Sequence, residues 1–147
     1  MIRDYLTEDL VLCDKEVNDW REAARVAGKL LQDKDKVNDA FIASMIETVE
    51  KFGPYMILVP KVCFFHGQPG ENVKEPCLSL VVFREAITFS DFDDQEISCC
   101  FAFGATDAQS HMEMIRSVAQ ILQDEDFIQA ITGNEPKEKI MAMIQNY

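Results

Sequence analysis

The chain has 147 residues, 48% of them hydrophobic and 27% charged, the size and balance of one compact domain with a buried core. Its 26 acidic residues outnumber 14 basic ones, and a formal charge of −12 repels both nucleic acid and an anionic membrane surface. No apolar run approaches the roughly 20 residues needed to cross a bilayer, and the N-terminus lacks a secretory pattern, so the expectation is a cytoplasmic chain without direct membrane insertion.

In chain order, Val17, Trp20, Ala24, Ala27 and Leu31 recur at spacings of three and four, as one face of an amphipathic helix requires. A second stripe, Val37, Phe41, Met45, Val49 and Phe52, ends at Gly53-Pro54, where glycine allows a cap and proline cannot continue the ladder. Four short runs dense in Val, Ile, Phe and Cys then predict strands at Tyr55–Val59, Val62–His66, Cys77–Phe83 and Ile97–Phe103. After Gly104, the N-cap candidates between Thr106 and Ser110 and the stripe Met112, Ile115, Ala119 and Leu122 predict a helix beginning near His111. Asp124–Thr132 reads as a short helix closed by Gly133-Asn134, and Pro136 opens a last one carrying Ile140 and Ile144. No repeat or linker divides residues 1–147. Helices before and after a block of strands, some joined as hairpins, predict an α/β fold: a single-domain mixed β-sheet covered by helices on both faces.

Five cysteines, Cys13, Cys63, Cys77, Cys99 and Cys100, are an odd number without a disulfide framework and read as reduced, mostly buried thiols. A zinc site is disfavoured because Cys63 and His66, three apart on a strand, point to opposite faces, as do the adjacent Cys99 and Cys100. No Gly-x-Gly-x-x-Gly or Walker loop offers a nucleotide cradle, so neither a metal nor a cofactor is expected. The methionines at 45, 112, 114, 141 and 143 read as core filler.

The only two histidines occupy two junctions. His66 ends the run Val62-Cys63-Phe64-Phe65-His66 and is followed by Gly67-Gln68-Pro69-Gly70, whose glycines let backbone approach a ligand. His111 comes 45 residues later at a predicted helix N-terminus, where unpaired N–H groups and the helix dipole favour an anion. Taken singly, each has a plainer explanation: His66 as a surface residue ending a strand, and Asp107 and Ser110 as helix caps, with Ser110 and Glu113 at capping-box spacing.

Taken together, Gly53-Pro54-Tyr55, Val62-Cys63-Phe64-Phe65-His66-Gly67, Phe101-Ala102-Phe103-Gly104-Ala105-Thr106-Asp107 and Ser110-His111 resemble the enzyme IIA family of the mannitol, fructose and ascorbate branches of the bacterial phosphotransferase system. The resemblance covers nearly the whole chain, and Gly53-Pro54-Tyr55 leans towards the ascorbate-like branch. It implies a phosphotransferase/anion transport protein-like fold and a histidine phosphocarrier. His66 would take a phosphoryl group from the general carrier HPr and pass it to a cognate IIB component that serves a membrane IIC. His111, matching the family's Asp-x-x-Ser-His stretch, would assist, with Gly67, Gln68 and Ser110 as phosphoryl-stabilising positions. Phe65 stands where the family usually has proline, Gln68 where many members carry arginine, and the helix ending at Lys51 lacks the arginine of mannitol-type members. Those departures keep an alternative open, a non-catalytic IIA-like regulatory interaction module. Phe64, Phe65 and Pro69 are candidates for an apolar rim that meets the partners, with core packing the more ordinary role for at least one of the two phenylalanines.

Overall fold

The computed structural model describes residues 1–53, 57–88 and 95–147, with Leu58 described by its backbone alone. The elements are α1 (Ile2–Tyr5), a 3-10 turn (Glu8–Leu10), β1 (Val11–Lys15), α2 (Trp20–Asp33), α3 (Asp39–Phe52), β2 (Ile57–Val59), β3 (Lys61–His66), β4 (Cys77–Thr88), β5 (Glu96–Gly104), α4 (Ala108–Ile121), α5 (Glu125–Thr132) and α6 (Lys137–Ile144). Both helical stripes of the first third form helices, each opened by a side-chain cap: Asp19 accepts from the Glu22 N–H and Asn38 from the Phe41 N–H. Gly53 ends α3 at φ 76°, its N–H donating to the Val49 carbonyl at 2.7 Å. Pro54, Tyr55 and Met56 lie outside the described residues, so the Gly53-Pro54-Tyr55 element and the start of the strand expected at Tyr55 are seen only from Gly53 and from Ile57 onward.

The strands form one mixed sheet in the order β1-β4-β5-β3-β2. Antiparallel pairs β2/β3 and β4/β5 alternate with parallel pairs β1/β4 and β3/β5. β1 was not anticipated. Its five residues follow the acidic Glu8-Asp9, its parallel register with β4 is irregular, and Asp14 turns the backbone to φ 54° within it, so no alternation advertises it.

The pleat of the sheet divides the core in two, because neighbouring residues of a strand face opposite layers. On one side Cys63, Phe65, Val81, Cys100 and Ala102 pack against α2 and α3 through Trp20, Ala24, Leu31, Phe41 and Met45. On the other, Val62, Phe64, Leu80, Phe101 and Phe103 pack against Met114, Val118, Phe127, Ile131, Ile140 and Ile144 of α4, α5 and α6. Each fully buried side chain of this size contributes about 1.5–3 kcal/mol relative to exposure, so both layers are needed to hold the sheet. Cys63, Cys77, Cys99 and Cys100 are buried free thiols, and burial pushes the Cys77 thiol up to about 12. Met45 and Met114 are buried, but Met112 is 52% exposed and is not core filler.

Candidate functional site

The parallel neighbours β3 and β5 end together, with His66 paired to Phe103. Beyond that rim β5 leads through Ala105 and Thr106 into α4. Asp107 caps the helix: its carboxylate accepts from the Ser110 N–H at 2.8 Å, and the Ser110 hydroxyl accepts from the Asp107 N–H at 3.2 Å. The capping box is therefore Asp107 with Ser110, not Ser110 with Glu113. It sets the start of α4 three residues ahead of His111, so that the imidazole projects from the first turn. The Ser110 N–H holds the Asp107 carboxyl below the usual carboxylate range, assisted by the Ser110 hydroxyl.

The two imidazoles meet across the rim, their ring centroids 5.5 Å apart and edge-to-face. Phe103 lies beneath both, 5.2 Å from His66 and 5.0 Å from His111, and fixes their separation. Period-two alternation accounts for the meeting: His66 shares the face of Val62 and Phe64, the face that α4 covers. Cys63 is buried in the opposite layer and cannot join His66 on one ligand.

His66 is half-buried. Its Nδ1 lies 3.2 Å from the Phe64 carbonyl oxygen, and since a carbonyl only accepts, Nδ1 carries the hydrogen and Nε2 keeps a free lone pair. Burial pushes the His66 imidazolium down from its ordinary range; the Phe64 carbonyl opposes the shift and His111 adds to it. His111 is lowered by burial alone. Its Nδ1 is enclosed without a hydrogen-bond partner among the described residues, which disfavours an N–H there and leaves Nε2 to carry the hydrogen.

A cleft of about 330 Å³ opens over these rings, lined by Thr48, Phe52, His66, Gly67, Gln68, Pro69 and His111. No charged side chain is among the described residues lining it. Gly67 is buried against α3: a Cβ there would come within 2.2 Å of the Ser44 Oγ and 3.2 Å of Phe41. The glycine thus serves the close docking of α3 on the end of β3, and through it places Thr48 and Phe52 in the wall. Gln68 is exposed at the mouth.

The structure gathers His66, Gly67, Gln68 and His111 at one cleft, but it places Ser110 outside. The Ser110 hydroxyl lies within hydrogen-bond distance of the Thr106 and Asp107 N–H groups and of the Asp107 carbonyl, and its own N–H is taken by the Asp107 carboxylate. The His111 N–H likewise donates to the Asp107 carbonyl at 3.1 Å. The Ser110 and His111 N–H groups, expected to donate to an anion, are already bonded to Asp107, and Ser110 belongs to the cap that starts α4 ahead of His111. The partner rim is also displaced: Phe64 and Phe65 are 2% and 0% exposed, and of the expected three only Pro69 borders the cleft. Phe52, 51% exposed, is the large apolar side chain in its wall, and the exposed Met112 follows His111 in the chain. Sequence reasoning does not find Thr48 or Phe52: Phe52 belongs to an apolar helical stripe, which signals packing first, and Thr48 is a single polar residue inside a helix with no motif around it.

The sequence model of the phosphoenolpyruvate-dependent sugar phosphotransferase system EIIA 2 family matches residues 4–147. The chain belongs to that family. Among its EIIA relatives, the ascorbate-specific PTS system EIIA component of Escherichia coli K12 is 27% identical over 97% of this chain and 94% of its own. The solution structure of the mannitol-specific cryptic phosphotransferase enzyme IIA from Escherichia coli superimposes with a TM-score of 0.88 at 23% identity, covering 99% of both chains. The complex of enzyme IIAMTL and phosphorylated enzyme IIBMTL from Escherichia coli gives 0.83 at 17% identity, covering 96% and 97%. At these identities the two structures establish the EIIA fold. Among the described residues no helix is long and apolar enough to cross a membrane.

Proposed function

We propose that this EIIA chain is a cytoplasmic phosphocarrier that accepts a phosphoryl group from phospho-HPr on His66 and passes it to a cognate IIB component for sugar uptake through a membrane IIC. The observation that carries this reading is the hydrogen bond from His66 Nδ1 to the Phe64 carbonyl, which leaves Nε2 as a neutral nucleophile beside His111 in an open cleft. The ascorbate-specific names of the relatives support uptake of an acidic sugar derivative as the setting.

The step balances without a cofactor. The His66 Nε2 lone pair forms a P–N bond as the donor's P–N bond breaks, and the electron pair returns to the donor imidazole. Delivery to IIB reverses this at His66. Such transfer rests on positioning and on charge stabilisation. The Nε2–H of His111 and the amide of Gln68 supply donors, the backbone at Gly67 lets the group approach, and Ser110 acts through the cap that aims His111. Phe52 and Pro69 of the cleft, with the exposed Met112 that follows His111 in the chain, form the apolar rim on which the partner domains seat.

The deciding experiment incubates the protein with phosphoenolpyruvate, enzyme I and HPr and reads an acid-labile gain of about 80 Da by mass spectrometry. Wild type gains it and His66→Ala does not. No gain in wild type would move the chain to the regulatory interaction module, for which the uncharged cleft is the favouring observation.

A further inference from the structure

Resting on the phosphocarrier reading, we infer that the Thr48 hydroxyl is a phosphoryl-binding donor of this cleft, redirected from its own helix to the phosphoryl oxygen when His66 is loaded. The argument begins with α3. Ser44, Thr48 and Phe52 follow at i, i+4 and i+8 and share one stripe. The Ser44 end of that stripe is pressed onto β3 where the missing Cβ of Gly67 makes room. One turn further along the stripe, Thr48 lines the same cleft as His66 and His111.

Thr48 brings the one side-chain hydroxyl among the described lining residues. Its Oγ1 donates to the Ser44 carbonyl at 2.7 Å. That carbonyl is also the helical acceptor of the Thr48 N–H, four residues on, so it keeps a partner when the hydroxyl turns away. The hydroxyl loses a second, shared bond to a neutral oxygen and gains a charge-assisted bond to a phosphoryl oxygen, the stronger of the two. With no cation among the described residues lining the cleft, the hydroxyl joins His111 and Gln68 as the neutral donors that take up the charge on the transferring group. A threonine rotor costs only a rotation about χ1, where two staggered wells are open to it in a helix.

The test compares wild type, Thr48→Val, which keeps the shape and loses the hydroxyl, and Thr48→Ser, which keeps the hydroxyl. Single-turnover transfer from phospho-HPr is measured across donor concentrations, and folding is followed by thermal melting. The valine variant is expected to melt with wild type, to keep the concentration dependence of the donor, and to transfer about tenfold more slowly at saturation, while the serine variant stays within about twofold of wild type. A valine variant as fast as a phosphorylated wild type would overturn the role of Thr48 and leave His66 as acceptor. Equal slowing in valine and serine variants would also overturn it, assigning the position to packing. A wild type that takes no phosphoryl group at all would overturn the phosphocarrier reading and this inference with it.

Discussion

His66 Nδ1 lies 3.2 Å from the carbonyl oxygen of Phe64, two residues back on its own strand. The side chain is thereby tied to its own backbone, and its tautomer is set by β3 before any partner arrives. The phosphoryl group is therefore expected on Nε2, and nitrogen-15 NMR of the loaded protein should show phosphorylation there alone. A group found on Nδ1 would mean that the Phe64 contact breaks during transfer.

The pH dependence follows from burial. Both histidines are held below the ordinary imidazolium range, so His66 stays a neutral nucleophile as pH falls past the point where a free histidine charges. Transfer into this domain, measured with the donor in excess, should persist from neutrality to below about pH 6.5 and decline only at the lowered value. Stability moves with the same sign. Between the lowered folded value and about 6.5 the unfolded chain binds more protons, so falling pH through that window weakens the fold. His66→Gln should flatten this part of a stability profile recorded by denaturant titration.

Gly67→Ala places a methyl group 2.2 Å from the Ser44 Oγ, which is itself anchored on the Phe41 carbonyl at 2.7 Å. We expect a loss of about 1–3 kcal/mol in urea unfolding, typical of overpacking against a fixed neighbour. Pairing it with Ser44→Ala removes the oxygen and should recover part of the loss. Full additivity of the two single effects would show that the strain lies elsewhere.

Asp107→Ala removes the carboxylate that accepts the Ser110 N–H, while leaving the cleft lining intact. The melting temperature should fall by a few degrees, and transfer through His66 should slow because His111 is no longer aimed. Asp107→Asn, which caps equally well, should restore both. A slow asparagine variant would show that the carboxylate charge matters beyond the cap.

Phe52→Ser removes exposed apolar surface from the cleft wall, and Met112→Ser removes it from the residue that follows His111 in the chain. Each should raise the KM for a partner domain about three- to tenfold with the melting temperature unchanged. An unaltered KM in both would place the docking surface elsewhere.

Much of this arrangement is written in local patterns. The 3.6-residue stripes from Trp20 to Leu31 and from Phe41 to Val49 mark α2 and α3, and both are helices with those residues buried. The strand carrying His66 is legible because Val62-Cys63-Phe64-Phe65 is continuous and apolar, and its period of two places His66 towards α4. β1 is not legible: a five-residue edge strand defined by its pairing to Leu80, Val81 and Phe83 has no signal without that partner. The same limit applies to the cleft. Two histidines at two junctions suggest a site, but Thr48 and Phe52 enter it only because Gly67 lets α3 press on β3, a contact between segments that sequence spacing does not encode. Phe64 and Phe65 mislead for the opposite reason, since both faces of this sheet are covered and the pleat buries each in turn.

If His66 carries a phosphoryl group, the lack of charged side chains among the described residues lining the cleft bears on the direction of transfer. On the phosphocarrier reading, a phosphoryl group on His66 would bring roughly −1.5 to −2 further charges to a chain already at −12, with no cation among the described residues lining the cleft. A form loaded in that way would be held at high group-transfer potential, its self-repulsion relieved when the group departs. A partner with a basic face gains twice, being drawn to the acidic surface and then relieving the loaded form of its excess charge.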